Sequence, residues 1–283
     1  MAVIIDGKGI ANSLKDVVKK EVDFLKSRGA NVCLAVVLVG ENPASLVYVK
    51  NKKRCCEELG ICSEEVVLKE DATQSELMEV IKSLNEDDSV NGILVQLPLP
   101  AHLNEYEVIN AINPKKDVDC FHSLNVGRLF IGGSVFEPCT PAGVVDLIKL
   151  TGVEIAGRHC VILGRSNIVG KPLAMLMLRQ NATVTICHSK TINLKEHTKN
   201  ADILVAAVGV ANFVGADMVK EGAVVIDVGV NRLSNGKLCG DVNFSEVKNK
   251  ASFITPVPGG VGPMTIAKLM ENTLKSYRLQ NPF

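Results

Sequence analysis

An α/β chain in two units, the second a doubly wound parallel sheet, is the fold class the sequence predicts, and three observations predict it. The segment His159 to Pro172, HCVILGRSNIVGKP, runs a short apolar stretch into a glycine-bearing turn that opens a second apolar segment. Phosphate is presented to a helix N-terminus in that order in dinucleotide-binding folds. Three further strand-like runs follow at intervals long enough for crossover helices: Thr183 to Cys187, Asp202 to Gly209 and Ala223 to Gly229. Far upstream, Cys33 to Gly40 reads CLAVVLVG, a short valine-rich run that fits a strand buried on both faces of another parallel sheet.

The elements follow in order. Ile10, Leu14, Val17, Val18, Val22 and Leu25 recur at helical spacing, so Ala11 to Lys26 is an amphipathic helix ending near Gly29. After the first buried strand, Asn42 and Pro43 stand as N-cap and first-turn residues of a helix over Ala44 to Leu59. Val66 to Lys69 reads as a strand, Ser75 to Leu84 as a helix, and Gly92 to Pro100, GILVQLPLP, as a third strand stopped by prolines that cannot continue a ladder. Asn113 to Pro141 is richer in Gly, Pro and polar residues and reads as the crossing between domains. Pro141 to Gly152 is a helix with Thr140 as cap, and the loop Thr255 to Thr265 feeds a terminal helix, Ile266 to Tyr277, expected to return to the first domain. The expected boundaries are 1–139 with 266–283 for one domain and 140–265 for the other.

Composition excludes several classes. The 283 residues are 47% hydrophobic and carry 31 basic against 31 acidic side chains, a neutral balance that argues against a nucleic-acid footprint. No run approaches a membrane span, and the first ten residues lack the basic start and long apolar centre of a signal peptide, so a cytoplasmic protein is expected. Nine cysteines without a C-x-x-C pair, with Cys55, Cys56 and Cys62 the close set, suit reduced core thiols better than zinc or disulfides. No metal is expected.

The glycine turn also bears on the nucleotide. Gly164, Ser166 and Gly170 depart from G-x-G-x-x-G by a serine and one extra residue. NAD-selective folds place a carboxylate about 20 residues beyond the turn; here that position reads CHSKT, Cys187 to Thr191, and holds none. Arg165 in the turn, with Ser189 and Lys190 after the second strand, would meet a 2′-phosphate with donors and positive charge, which favours NADP. Lys190 alone reads equally as a solvated loop lysine. A Walker loop is excluded because five residues separate Gly164 from Gly170 and Pro172 stands where a magnesium-binding hydroxyl is needed.

Four other places bear on chemistry, three by polar side chains and one by its backbone. Tyr48 and Lys52 lie four apart on one helix face, where an amine in a cleft can act as base or donor; the alternative is a wet basic face with Lys50, Lys53 and Arg54. Gln96 ends an otherwise apolar strand, at the edge that faces the ligand crevice in open α/β sheets, or is a core glutamine bonded to backbone. Asp117 and Asp119 flank Val118 and point the same way in an extended segment, either to anchor an amine-bearing heterocycle or to cap a turn. Gly259, Gly260 and Gly262 mark a backbone that turns tightly or lies against a ligand. The five histidines, His188 among them, show no ligand spacing and are read as structural.

With YVKNK after GENPAS, GILVQLPLP, KKDVDCFHSLNVGRL, PCTPAGV, GRSNIVGKP, CHSKT, AVVIDVGVN and FITPVPGGVGPMT in that order, the chain resembles the bifunctional methylenetetrahydrofolate dehydrogenase/methenyltetrahydrofolate cyclohydrolase family over essentially its full length. The resemblance implies NADP-dependent oxidation of 5,10-methylenetetrahydrofolate to the methenyl cation, then hydrolysis to 10-formyltetrahydrofolate, in one cleft between two α/β domains of which the C-terminal one is Rossmann-like. It implies Lys52 as the catalytic lysine, Tyr48 near the folate ring, Gln96 tuning the lysine and Asp119 holding the pterin. Val95, Leu97 and the loop Pro258, Gly259, Gly260, Val261 and Gly262 would border the folate, and Gly164, Arg165, Ser166, Ser189 and Val230 the NADP. A homodimer is implied too. Cys120 departs from the family, which usually has glycine there.

Competing readings are separable by position. Short-chain dehydrogenases also use Tyr-x-x-x-Lys, but their glycine turn precedes the pair, whereas Gly164 follows Lys52 by more than a hundred residues. Shikimate-type dehydrogenases share the order of domains without needing the QLPLP and PGGVGP blocks. A monofunctional dehydrogenase of the same family, or a catalytically silent NADP-binding regulator, remains the alternative; the intact Tyr48, Lys52, Gln96 and Asp119 set speaks against the regulator.

Overall fold

The computed structural model describes residues 1–282. In chain order its elements begin with β1 (Val3–Ile4), α1 (Gly7–Ser27), β2 (Cys33–Val39), α2 (Pro43–Leu59), β3 (Cys62–Leu68), α3 (Gln74–Glu86), β4 (Gly92–Val95), α4 (Glu105–Ala111), α5 (Ser123–Ile131) and α6 (Cys139–Lys149). They continue with β5 (His159–Leu163), α7 (Gly170–Arg179), β6 (Thr183–Cys187), α8 (Leu194–Thr198), β7 (Ile203–Ala206), β8 (Val224–Asp227), β9 (Asn231–Arg232), β10 (Leu238–Cys239), α9 (Phe244–Val247), β11 (Phe253–Ile254) and α10 (Val261–Gln280).

The chain divides into two compact units, residues 13–137 with the chain from 269 onward, and residues 1–12 with 138–268. The expectation that residues 1–139 lie in one domain is therefore corrected at the N-terminus. The reason is backbone pairing: β1 runs parallel to β11, and Val3 and Ile5 donate to the carbonyls of Ser252 (2.8 Å) and Ile254 (2.9 Å). Those first residues complete a sheet whose other strands come from beyond position 158.

In the 13–137 unit the sheet is β3-β2-β4, parallel throughout, with Val37 opposite both Val66 and Val95. All seven residues of β2 are buried, as its unbroken apolar run requires of a central strand. Ala35, Val37, Ile93 and Val95 pack with Leu77, Ile81 and Leu84 of α3 and with Val108 of α4. The strand expected over Val66 to Lys69 begins four residues earlier and is an edge strand with alternating exposure; its first residue, Cys62, is exposed, which corrects its reading as a core thiol. Thr73 opens α3 with a reciprocal capping box to Glu76. The third strand stops at Val95, so Gln96 to Pro100 is loop.

In the other unit a six-stranded parallel sheet has the order β1-β11-β8-β7-β5-β6. From β5 the chain moves one way to β6 and then crosses to the other side to build β7, β8 and β11, where the N-terminal β1 adds the edge strand. The switch point of a doubly wound fold therefore falls between β5 and β7. Helix α6 begins at Cys139, without a side-chain cap. The expected cap, Thr140, lies inside the helix and bonds Thr265 Oγ1 at 3.0 Å, so its hydroxyl is committed to tertiary structure. The loop preceding α10 ends earlier than the sequence suggests, with Val261 already helical.

Candidate active and nucleotide-binding sites

In the 13–137 unit the structure joins two of the predicted residues directly. Lys52, half-buried on α2, donates from Nζ to Gln96 Oε1 at 2.9 Å. Helix α2 follows β2, and Gln96 follows β4, the parallel neighbour of β2, so both residues emerge at the carboxyl end of the same sheet. The amide of Gln96 is turned by a second bond, Nε2 to the Leu97 carbonyl at 2.7 Å, which leaves Oε1 facing the amine. Tyr48 precedes Lys52 by one turn and is 42% exposed, an open ring on the same helix. Val95 is packed in the core under β4, and Leu97 is half-buried.

The two aspartates of KDVD separate into different roles. Asp117 is 1% exposed and accepts from Phe121 N (3.1 Å), His122 N (3.0 Å) and Asn125 Nδ2 (2.8 Å), so it is the turn-capping residue. Burial, the largest influence, pushes its carboxyl above the usual carboxylate range despite those donors. Asp119 is half-buried. Lys116, also buried, donates from Nζ to the carbonyls of Leu84 (3.0 Å), Asn85 (2.9 Å) and Asp87 (2.7 Å) and so closes the C-terminus of α3. Val118 is fixed through its carbonyl, which accepts from Asn272 Nδ2 at 2.8 Å. Asp119 is thus carried by a segment pinned on both sides of its backbone. Cys120 adopts φ +61°, the left-handed region, and its buried thiol donates to the Phe136 carbonyl at 3.4 Å.

In the other unit a cavity of about 370 Å³ opens at the carboxyl ends of β5, β6 and β7. Gly164, Arg165, Ser189 and His188 line it together with Ala207 and Val208. Its size is that of a small-molecule site, and its place is the switch-point crevice where open α/β sheets take their ligands. Gly164 holds φ +116°, and a β-carbon there would overlap the Ala207 carbonyl oxygen. One at Gly170 would overlap the Gly164 carbonyl oxygen, so the turn and the first residue of α7 are in backbone contact. Ser166 sits between them; its Oγ accepts from the amides of Val169 (3.1 Å) and Gly170 (3.3 Å) and caps α7 where the usual motif has glycine. Val230 is 48% exposed and lies outside the lining of this cavity.

His188 lines the cavity, and its Nδ1 accepts from Lys190 N at 3.2 Å, a bond that holds the turn after β6. Ala207, Val208, Val210 and Phe213 were missed. The signal is their place at the end of the strand-like run Asp202 to Gly209 and just beyond it, at the edge where ligands bind. The folate-loop candidates belong to this unit as well: Gly259 holds φ +106° and accepts from Lys8 N at 3.0 Å, Gly260 and Val261 are buried, and Pro258 and Gly262 are exposed. Among the described residues no cluster of His, Cys, Asp or Glu is placed to hold a metal ion, and no helix is long and apolar enough to cross a membrane.

A switch-point cavity beside a glycine turn in one unit, and a lysine–glutamine pair at a strand end in the other, define a nucleotide-dependent enzyme of two α/β domains. Comparison with known proteins gives the family. Residues 5–119 match the tetrahydrofolate dehydrogenase/cyclohydrolase catalytic domain and residues 138–281 its NAD(P)-binding domain. The "Bifunctional protein FolD" of Acetivibrio thermocellus is 58% identical over 99% of this chain and 98% of its own length. The bifunctional FolD enzyme of Campylobacter jejuni superposes with a TM-score of 0.97 at 51% identity, over 99% of both chains. The Trypanosoma brucei methylenetetrahydrofolate dehydrogenase-cyclohydrolase, solved with NADP and an inhibitor, gives 0.96 at 36% identity over 100% of this chain and 99% of its own. The chain belongs to the tetrahydrofolate dehydrogenase/cyclohydrolase family.

Proposed function

We propose that this chain oxidises 5,10-methylenetetrahydrofolate with NADP and hydrolyses the resulting methenyl cation to 10-formyltetrahydrofolate. Family membership over both domains supports the pair of activities. The single structural observation that carries the second is the Lys52 to Gln96 bond of 2.9 Å. The cavity fits the cofactor on its own terms, because it opens at the carboxyl ends of the parallel strands beside the Gly164 turn, with the Arg165 and Ser189 side chains in its lining. Arg165, Ser189 and Gly164 would hold NADP there, which when bound accepts a hydride from the methylene carbon.

The protein's part in oxidation is positioning. Asp119 would hold the amine-bearing edge of the pterin, and Tyr48 offers an exposed ring face against which a flat heterocycle stacks. The loop Pro258 to Gly262, with Val95 and Leu97, would border the folate. Hydration needs a proton acceptor. Water that adds to the methenyl carbon loses a proton, and Lys52 Nζ would take it, its direction fixed by Gln96 Oε1. The bond from that carbon to N5 then breaks, N5 takes a proton, and the carbon is left as the formyl group on N10. A cationic substrate beside the amine favours the neutral, proton-accepting form. The reading includes a homodimer in the cytoplasm, which light scattering and cell fractionation check.

The deciding experiment is a spectroscopic assay of the purified protein with 5,10-methylenetetrahydrofolate and NADP or NAD, following NADPH and methenyl absorbance separately. NADPH formation without lasting methenyl accumulation is expected. Accumulation would mark a monofunctional dehydrogenase, and no reduction with either nucleotide would leave a silent regulator.

A further inference from the structure

The nucleotide-binding unit holds a pair of buried carboxylates. Asp227 ends β8 at 3% exposure, and Asp241, fully buried, follows the β9-β10 hairpin. The hairpin returns the chain from Asn231 to Asp241, where Asp227 Oδ1 and Oδ2 accept from the amides of Asp241 (2.9 Å) and Val242 (2.9 Å). Asp227 therefore fixes the hairpin's end, and Asp241 is left with both carboxylate oxygens free to act elsewhere.

Those oxygens hold the cavity wall. β7 ends at Ala206 and Ala207 N still donates across the ladder to the Leu163 carbonyl at 2.8 Å, but the two amides after it, Val208 N and Gly209 N, both donate to Asp241 Oδ2, at 2.7 and 2.9 Å. Asp241 Oδ1 accepts from Asn231 Nδ2 at 2.9 Å. A buried amide left without an acceptor is costly, so the carboxylate dictates where the chain bends away from the sheet. Val208, Val210 and Phe213, on the segment so bent, form one wall of the cavity, and Ala207 immediately before it is the residue against which Gly164 packs. The packing leaves no slack: a β-carbon at Gly229 would overlap Asp241 Oδ1. Asn231, the neighbour of Val230, is tied to the same carboxylate.

We infer that Asp241 is a positioning residue for the nucleotide site, setting the wall Val208 to Phe213 and the Val230–Asn231 segment through bonds to two backbone amides and one side-chain amide. It touches no nucleotide. The inference rests on the proposed NADP reading of this cavity and deepens it, since neither phosphate-facing motif nor spacing marks position 241.

Calorimetric NADP titration and steady-state kinetics of Asp241→Ala and Asp241→Asn test it. Asp241→Ala leaves both backbone amides without an acceptor, and the NADP Kd and KM should rise roughly ten- to a hundredfold. The KM for the folate and kcat should move less than about threefold on the same scale. Asp241→Asn keeps one oxygen for both amides, while the Asn231 carboxamide turns over to accept from the new NH2, so it should restore NADP affinity to within about threefold. Wild-type NADP affinity in folded Asp241→Ala, or equal loss of folate and NADP affinity, would overturn the inference. Should Asp241→Ala not fold, Asn231→Ala serves: a NADP KM raised about three- to tenfold supports the inference and an unchanged one overturns it. Failure of the wild-type protein to bind NADP would instead overturn the nucleotide reading itself.

Discussion

The two units build their sites from different materials. In the nucleotide unit the decisive groups are backbone: the Gly164 turn, the Ala207 carbonyl against it, and two amides held by Asp241. In the 13–137 unit they are side chains, with Lys52 and Gln96 meeting across 44 positions of sequence. A site made of backbone surfaces fails when volume is added, since any β-carbon intrudes. A site made of side chains fails when one functional group is exchanged at constant volume. That contrast orders what mutation should do to each.

The sharpest break is Lys52→Met, which keeps the aliphatic stem and removes the amine. Cyclohydrolase activity should fall by about 10²- to 10⁴-fold, the usual worth of a proton-transfer group. NADP affinity, governed by the other unit, should stay at the wild-type value by calorimetry. Hydration retained in this variant would remove Lys52 from the mechanism and blur the division between the units.

Gly164→Ala tests the opposite rule. The new methyl meets the Ala207 carbonyl oxygen and the residue must keep φ near +116°, so both sterics and conformation oppose it. A loss of about 2–3 kcal/mol of stability is expected from urea unfolding. NADP binding should be lost in the protein that remains folded. A methyl tolerated with normal affinity would mean that the turn has room the backbone contacts deny.

This same division explains what could be read from sequence. The nucleotide turn is local, so its apolar run, glycines and following helix lie within one short segment, and the strands after it were legible by their valine-rich runs. The Lys52–Gln96 bond depends on the parallel β2-β4 pairing, which no spacing records; only the family resemblance joined the two residues. Alternation made Asp117 and Asp119 equivalent, and three donors clustered around Asp117 separate them. Thr140 has the look of a helix cap, yet its partner is Thr265, 125 residues on. Residues 1–12 read as the start of the first domain because strand pairing with β11 leaves no mark in a segment of two residues. Asp241 was invisible for the same reason: its partners are backbone amides brought to it by a hairpin.

Proton linkage sharpens the comparison within the nucleotide unit. Burial pushes the Asp227 carboxyl up to about 6, against an ordinary value of 3.8, with its amide donors pulling the other way. The folded protein thus takes up this proton at higher pH than the unfolded chain. The cost of keeping Asp227 ionised is present in full above pH 6 and is relieved as pH falls toward about 4. Relative to Asp227→Asn, the wild-type protein should therefore gain about 1 kcal/mol of stability between pH 7.5 and pH 5. Urea titrations at the two pH values measure it. An unchanged difference between the proteins would show that the amide bonds to Asp227 hold its carboxyl at the unfolded value.

The smallest effect should come from Cys120→Gly, where the 13–137 unit tolerates what the nucleotide unit forbids. Cys120 holds φ +61° with a side chain in place, and the thiol is fully buried against the Phe136 carbonyl. Glycine would relieve a left-handed conformation worth about 1–2 kcal/mol. It would also add unfolded-chain entropy of about 0.5–1 kcal/mol and forfeit the burial of the thiol. The opposing effects leave a net stability change under about 1 kcal/mol by urea unfolding. Asp119 should not move, because the backbone before it is held by the Asp117 cap, by Lys116 on the end of α3 and by the Asn272 bond to Val118. The KM for 5,10-methylenetetrahydrofolate should accordingly stay within about twofold, a difference far below 1 kcal/mol. A larger shift in KM without loss of stability would mean that the cysteine, rather than its pinned neighbours, sets how Asp119 meets the pterin. The glycine usual in this family would then be the better fit to substrate.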